Sequence, residues 1–214
     1  MTTSTEQPAV STATQRKWRW IYILAGVPAV IVIAVLILQQ LAPPSFNGMV
    51  IQSPQRAADF TLTASTGQRM GLQDLRGKTV LLFFGYTFCP DVCPTTIADL
   101  TQAMTILGPK KAAKVQVVFV SVDPERDTPE RLQEYLSFFN PTFLGMTGTP
   151  DELIAASTPF GIFYEKHEGT PATGYLVDHT ATITLIDKEG YVRLVFPYGL
   201  GAEAMAADLA QFVK

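Results

Sequence analysis

The run Thr79-Val80-Leu81-Leu82-Phe83-Phe84 is apolar on both faces of any strand it forms. Such a strand has to be covered on each side, which calls for a central sheet with helices packed on both faces. Directly after it stands Gly85-Tyr86-Thr87-Phe88-Cys89-Pro90-Asp91-Val92-Cys93-Pro94, so two cysteines lie between a core strand and whatever follows. In open α/β sheets ligands collect at that place, beyond the carboxyl ends of the strands.

The rest of the chain fits this layered arrangement. Ile97, Leu100, Met104 and Leu107 recur at helical spacing until Gly108-Pro109 ends the pattern. A second apolar strand is expected over residues 115–122. Thr128 should then cap a helix with Pro129 in its first turn and Leu132, Tyr135, Leu136 and Phe139 on one face. Thr149-Pro150-Asp151-Glu152 opens another helix by the same chemistry. Residues 180–186 and 191–196 read as two strands joined by the turn Asp187-Lys188-Glu189-Gly190, and a last helix turns Met205, Leu209 and Phe212 towards the sheet. A parallel strand-helix-strand half, an antiparallel hairpin and a final helix make the thioredoxin-like α/β plan, with extra elements around residues 143–178.

The front of the chain is different in kind. Residues 21–38 hold no charge over 18 positions, about 27 Å of helix at ~1.5 Å per residue and enough to cross a bilayer. Trp18, Trp20 and Tyr22 suit an interfacial aromatic belt. The run ends in Gln39-Gln40-Leu41-Ala42-Pro43-Pro44, a poor cleavage site, so an uncleaved anchor is expected rather than a signal peptide. Arg16, Lys17 and Arg19 precede it and no basic residue follows until Arg56, which places the N-terminus in the cytoplasm and the domain outside. The expected organisation is a cytoplasmic tail over 1–20, an anchor over 21–38, a tether over 39–57 and the folded domain over 58–214. The first 15 residues lack the arginines of a mitochondrial transit peptide, so a bacterial inner membrane fits better. Beyond position 38 the 18 acidic residues outnumber the 13 basic ones, which argues against nucleic acid as a partner.

In an oxidising compartment two cysteines ordinarily read as one disulfide. Cys89 and Cys93 would close a loop of only a few residues, which stabilises little, and three residues between them leave room for an ion. Pro94 suits the first helical position, so the helix is expected to begin there with Cys93 near the cap and both sulfurs close to a positive helix end. Of the two histidines, His179 stands before residues 180–186 in Val177-Asp178-His179-Thr180, opposite the cysteine loop in a thioredoxin-like sheet, with Asp178 placed to orient its ring. His167, in Glu165-Lys166-His167-Glu168, reads as a solvated loop residue and a minor candidate. Two thiolates and one imidazole suit Cu(I), whereas a structural zinc site would need a fourth ligand. Haem attachment through C-x-x-C-H is absent.

These motifs, together with Val120-Ser121-Val122-Asp123-Pro124-Glu125-Arg126-Asp127-Thr128, resemble the Sco/SenC copper proteins required for cytochrome c oxidase assembly. The resemblance runs from about Ala58 to the C-terminus. It implies that Cys89, Cys93 and His179 are copper ligands, for Cu(I), Cu(II) or both in turn, on a thioredoxin-like domain with one membrane anchor. The implied recipient is the dinuclear copper site of oxidase subunit II, with other copper carriers or thiol reductants as further partners. A thiol-disulfide reductase using Cys89 and Cys93 is the alternative, and a peroxiredoxin-like peroxidase a weaker third. Asp123 reads most simply as a turn residue before Pro124, and Phe88 and Tyr86 as shields for the metal or packing groups.

Overall fold

A computed structural model of the chain describes residues 28, 30–34, 45–170 and 174–213. The chain divides into two units, Met1–Ser45 and Phe46–Lys214. In the first, residues 28 and 30–34 are helical. Most of the anchor expected over 21–38 lies outside the described residues, and among those described no helix is long and apolar enough to cross a membrane.

The second unit is built on an eight-stranded mixed sheet. Its strands are β1 (Met49–Val50), β2 (Thr61–Ala64), β3 (Arg69–Gly71), β4 (Thr79–Gly85), β5 (Val115–Ser121), β6 (Leu144–Thr147), β9 (Ile183–Ile186) and β10 (Val192–Phe196), in the order β1-β10-β9-β4-β5-β6-β2-β3. Two further strands, β7 (Tyr164–Glu168) and β8 (Tyr175–His179), pair only with each other. The β4–β5 and β5–β6 pairs are parallel and the remainder antiparallel.

All seven residues of β4 are buried, as the apolar run requires. Phe83, Phe84, Leu81 and Leu82 are almost wholly removed from water, each contributing roughly 1.5–3 kcal/mol of transfer free energy. The helices are α1 (Val92–Leu107), α2 (Pro109–Ala112), α3 (Pro129–Ser137), α4 (Pro150–Ser157) and α5 (Ala202–Phe212). Thr128 and Thr149 cap α3 and α4 by accepting from Arg131 N and Glu152 N, and Glu152 completes a capping box. On α3, Leu132 and Leu136 press so closely on β6 that a side chain at Gly145 would meet Leu132 Cβ at 2.7 Å.

Three boundaries differ from those the sequence suggests. Helix α1 begins at Val92 with Asp91 as its cap residue, so Pro94 is third in the helix rather than first. A proline is tolerated there because first-turn N–H groups have no intrahelical partner to lose. The strand expected from residue 180 starts at Ile183, and His179 instead closes β8. Residues 46–57, placed in the tether by composition, run along the folded unit. Phe46 stacks on Phe212 at 5.6 Å, the buried carboxylate of Asp208 accepts from Asn47 N and Gly48 N, and β1 extends the sheet beside β10.

Candidate metal centre

Strand β4 delivers the cysteine loop from the middle of the sheet. Gly85 ends the strand and must be a glycine, because a Cβ there would come within 2.7 Å of Cys93 Sγ and 2.9 Å of Phe119. The next turn is held from beneath by Asp127, which is fully buried. Its carboxylate accepts from Thr87 N at 2.9 Å, Thr87 Oγ1 at 2.6 Å and Ser121 Oγ at 2.6 Å, joining the loop to the end of β5. Burial pushes the Asp127 carboxyl above its ordinary range, against the pull of those donors.

The two sulfurs occupy different surroundings. Cys93, inside the first turn of α1, is completely buried, while Cys89 is partly exposed. Cys93 N donates to Cys89 Sγ at 3.4 Å, so this sulfur takes one of the open amides at the helix start, where the Asp91 side chain makes no cap bond. The hydrogen bond from Cys93 lowers the Cys89 thiol to about 3, with further help from His179 and the amides of Cys93 and Asp91. That same hydrogen bond, reinforced by burial, pushes the Cys93 thiol upward, so the pair holds one proton, on the inner sulfur.

His179 reaches the cysteines from the hairpin β7–β8. Its Nε2 lies 3.3 Å from Cys93 Sγ and its Nδ1 lies 3.3 Å from the carbonyl oxygen of Thr180. Edge contacts with Tyr86 (5.9 Å) and Phe83 (6.2 Å) wall the imidazole. The ligating atoms of Cys89, Cys93 and His179 all fall within 4.8 Å of one another. Bonds of ~2.3 Å to sulfur and ~2.0 Å to nitrogen place two donors on one ion roughly 3.5–4.5 Å apart, so the set needs only shifts of a few tenths of an ångström. No other His, Cys, Asp or Glu joins the group among the described residues. Cys89 and His179 open onto a cleft of about 290 Å³ that Tyr86, Asp91 and Val177 also line, with Cys93 behind them.

The structure corrects several expectations about neighbouring residues. Asp178 does not orient His179; its Oδ2 lies 3.2 Å from Nε2 of His167, on an exposed stretch of the hairpin, and the Thr180 carbonyl takes the orienting place. Adjacent residues on a strand point to opposite faces, so Asp178 and His179 cannot share one. His167 belongs to β7 rather than a loop and stays outside the donor set. Asp123 is more than a turn residue: it is fully buried, accepts from Tyr175 Oη at 2.6 Å and pairs with Arg126 Nε. Tyr86 is buried against the imidazole, whereas Phe88 is half exposed beneath the guanidinium of Arg126. Sequence reasoning missed Tyr175, whose only signal is an aromatic residue four positions before His179.

The family model described as SCO1/SenC matches residues 50–214. The chain belongs to the SCO1/SenC family. The protein SCO2, mitochondrial, of Saccharomyces cerevisiae is 39% identical over 132 residues, which is 61% of this chain and 44% of that relative. The chain thus spans less than half of that relative's length. Among solved Sco structures, apo Sco1 from Thermus thermophilus matches with a TM-score of 0.71 and 42% identity, covering 79% of this chain and 98% of the other. The copper-bound ScoI of Arabidopsis thaliana matches with a TM-score of 0.70 and 30% identity, covering 74% and 98%. The mixed sheet therefore carries the thioredoxin-like fold of Sco proteins.

Proposed function

We propose that this SCO1/SenC protein is a copper carrier that holds one ion on Cys89, Cys93 and His179 and passes it to the dinuclear copper site in subunit II of cytochrome c oxidase. The observation that carries this reading is the convergence of two sulfurs and one imidazole nitrogen within 4.8 Å. Soft thiolates with an imidazole favour copper, and the Sco protein of Arabidopsis thaliana has been solved with copper bound. The oxidase as destination rests on the sequence motifs shared with Sco/SenC proteins. The uncharged run over 21–38, basic only on its N-terminal side, supports a single inner-membrane anchor with the domain outside the cytoplasm.

In this reading copper is cargo and delivery is ligand exchange. Cys93, buried in the first turn of α1, is the fixed donor. Cys89 faces the cleft and is the sulfur a recipient's thiolate reaches first. His179 sits on an element outside the main sheet and is the donor free to withdraw without disturbing it. Copper uptake requires both sulfurs reduced, so loading follows the redox state of the pair.

One observation favours a second role, as a thiol-disulfide reductase. Cys89, partly exposed at the cleft, accepts from the Cys93 amide and has its thiol held low, while the buried Cys93 is pushed upward, the asymmetry of an attacking and a resolving thiol. Cys89 Sγ would attack a recipient disulfide and expel one thiolate. Cys93 Sγ would then attack Cys89 Sγ, releasing the second thiolate and giving its proton to it. Two electrons pass to the recipient, and an external thiol reductant resets the pair.

Titration of the reduced full chain with Cu(I), in competition with a chromophoric chelator, tests the carrier reading. One copper per chain is expected. His179→Ala should weaken retention by at least the roughly 10–100-fold that loss of a supporting partner costs, with thiol-disulfide exchange unimpaired. Undiminished affinity in that variant would remove His179 from the donor set and leave the reductase.

A further inference from the structure

The hairpin β7–β8 pairs with no strand of the main sheet, so the position of His179 depends on what ties the hairpin down. An isolated two-stranded hairpin is marginal in water. Among the described residues the ties are few. Thr180 N donates to the Phe163 carbonyl, which closes the hairpin on itself, and Val177 N donates to Tyr86 Oη at 3.3 Å. The remaining ties are the buried side chain of Val177, the ion pair of Lys166 with Glu125, and a cluster centred on Arg126.

Arg126 lies in the turn that follows β5 and touches both the loop that leads to Cys89 and the strand that carries His179. Its Nε pairs with the buried carboxylate of Asp123, and its Nη1 donates to the Tyr175 carbonyl at 3.1 Å, at the start of β8. The guanidinium centre stands 3.6 Å from the Tyr175 ring, 4.7 Å from the Phe88 ring and 5.7 Å from the Tyr86 ring. Phe88 precedes Cys89 directly, and Tyr86 is the ring against His179. Tyr175 closes the circuit by donating its hydroxyl to the other oxygen of Asp123 at 2.6 Å. The arrangement has a cost, since Arg126 Nη2 is buried without a hydrogen-bond partner. A planar fork is the only basic group that fills it, because lysine neither stacks as a plane nor donates in two directions.

We propose that Arg126 is a positioning residue that registers the His179 hairpin against the cysteine loop, and so sets how tightly the third copper donor is presented. It touches none of the donor atoms and acts through His179. This inference rests on the copper-carrier reading, and its test separates the two.

The first arm uses the metal-free chain and hydrogen exchange. In Arg126→Gln the amides of Val177 and Thr180 are expected to exchange at least tenfold faster, with those of β4 changed less than twofold. Unchanged exchange in the hairpin would overturn the proposal whether or not the protein binds copper. The second arm is a double-mutant cycle read by Cu(I) affinity. Arg126→Gln is expected to weaken Cu(I) binding at least tenfold in the otherwise unaltered chain, and less than twofold when His179 is already alanine. Equal losses in both backgrounds would mean that Arg126 does not act through His179. Full rescue by Arg126→Lys would reduce the role to charge and overturn the geometry argued here. Should Arg126→Gln fail to fold, Tyr175→Leu removes the opposing ring and carries the same cycle. A parent chain that takes up no Cu(I) sinks the carrier reading alone.

Discussion

The cysteine loop and the histidine hairpin meet at the candidate metal centre but are built by different physics. The loop continues a fully buried strand, is pinned by the buried Asp127 and leads into a helix packed in the core. The hairpin carries a mostly exposed first strand, Tyr164–Glu168, and lies outside the main sheet. Local stability follows buried apolar contact, so the sulfur pair belongs to the most resistant part of the molecule and the imidazole to one of the least. In the proposed carrier the difference would have a use: two donors would retain the ion, while the third could leave when a recipient's donors arrive.

The largest expected effect breaks the rigid half. Cys93→Ser keeps the shape of a completely buried side chain but replaces a soft donor by a hard one. Copper affinity should fall on the order of a thousandfold, about 4 kcal/mol, measured by chelator competition. That loss should exceed the loss in His179→Ala. Equal losses would erase the distinction between a fixed and a yielding donor.

A second test concerns the two sulfurs. With its thiol lowered to about 3, Cys89 in the reduced, metal-free chain is already thiolate at pH 5. Its alkylation by iodoacetamide should therefore be flat from pH 5 to 8, where an ordinary thiol near 8.5 gains about tenfold per unit. Cys93 is shifted the other way and is buried, so at pH 6 it should react on the order of a hundredfold more slowly. Mass spectrometry of the alkylated peptides decides it. A steep pH rise at Cys89 would mean that the inner thiol and the helix amides do not hold its charge.

The same contrast explains what could be read in the sequence. Strands β4 and β5 were legible because burial on both faces leaves an unbroken apolar run, and Thr128 and Thr149 announced their helices because cap chemistry is local. Cys89, Cys93 and His179 stood out as a set through motifs that resemble Sco/SenC proteins, and the fold brings their ligating atoms within 4.8 Å of one another. The hairpin was not, since Tyr164–Glu168 is polar at nearly every position and its partner strand lies beyond intervening chain. Misreading it placed His179 at the entrance of the following strand and made Asp178 its orienting partner. Arg126 and Asp123 stood in a quoted motif, yet their contacts with Tyr175 span about 50 positions and leave no periodic trace.

The smallest effect probes the hairpin alone. Tyr86 is buried, its ring stands edge-on to His179 and its hydroxyl accepts from Val177 N. Tyr86→Phe keeps the ring and the wall of the site but leaves the Val177 amide without that acceptor. A hydrogen bond of this kind contributes about 1 kcal/mol. The amides of β8 should therefore exchange roughly fivefold faster, while β4 and the melting temperature of the domain stay nearly unchanged. Because the donors keep their neighbours, Cu(I) affinity should fall by no more than the same factor, the part passed on through a looser His179. A drop in melting temperature of many degrees would show that the hairpin and the core unfold as one cooperative unit, and the division between a rigid and a yielding half would have to be given up.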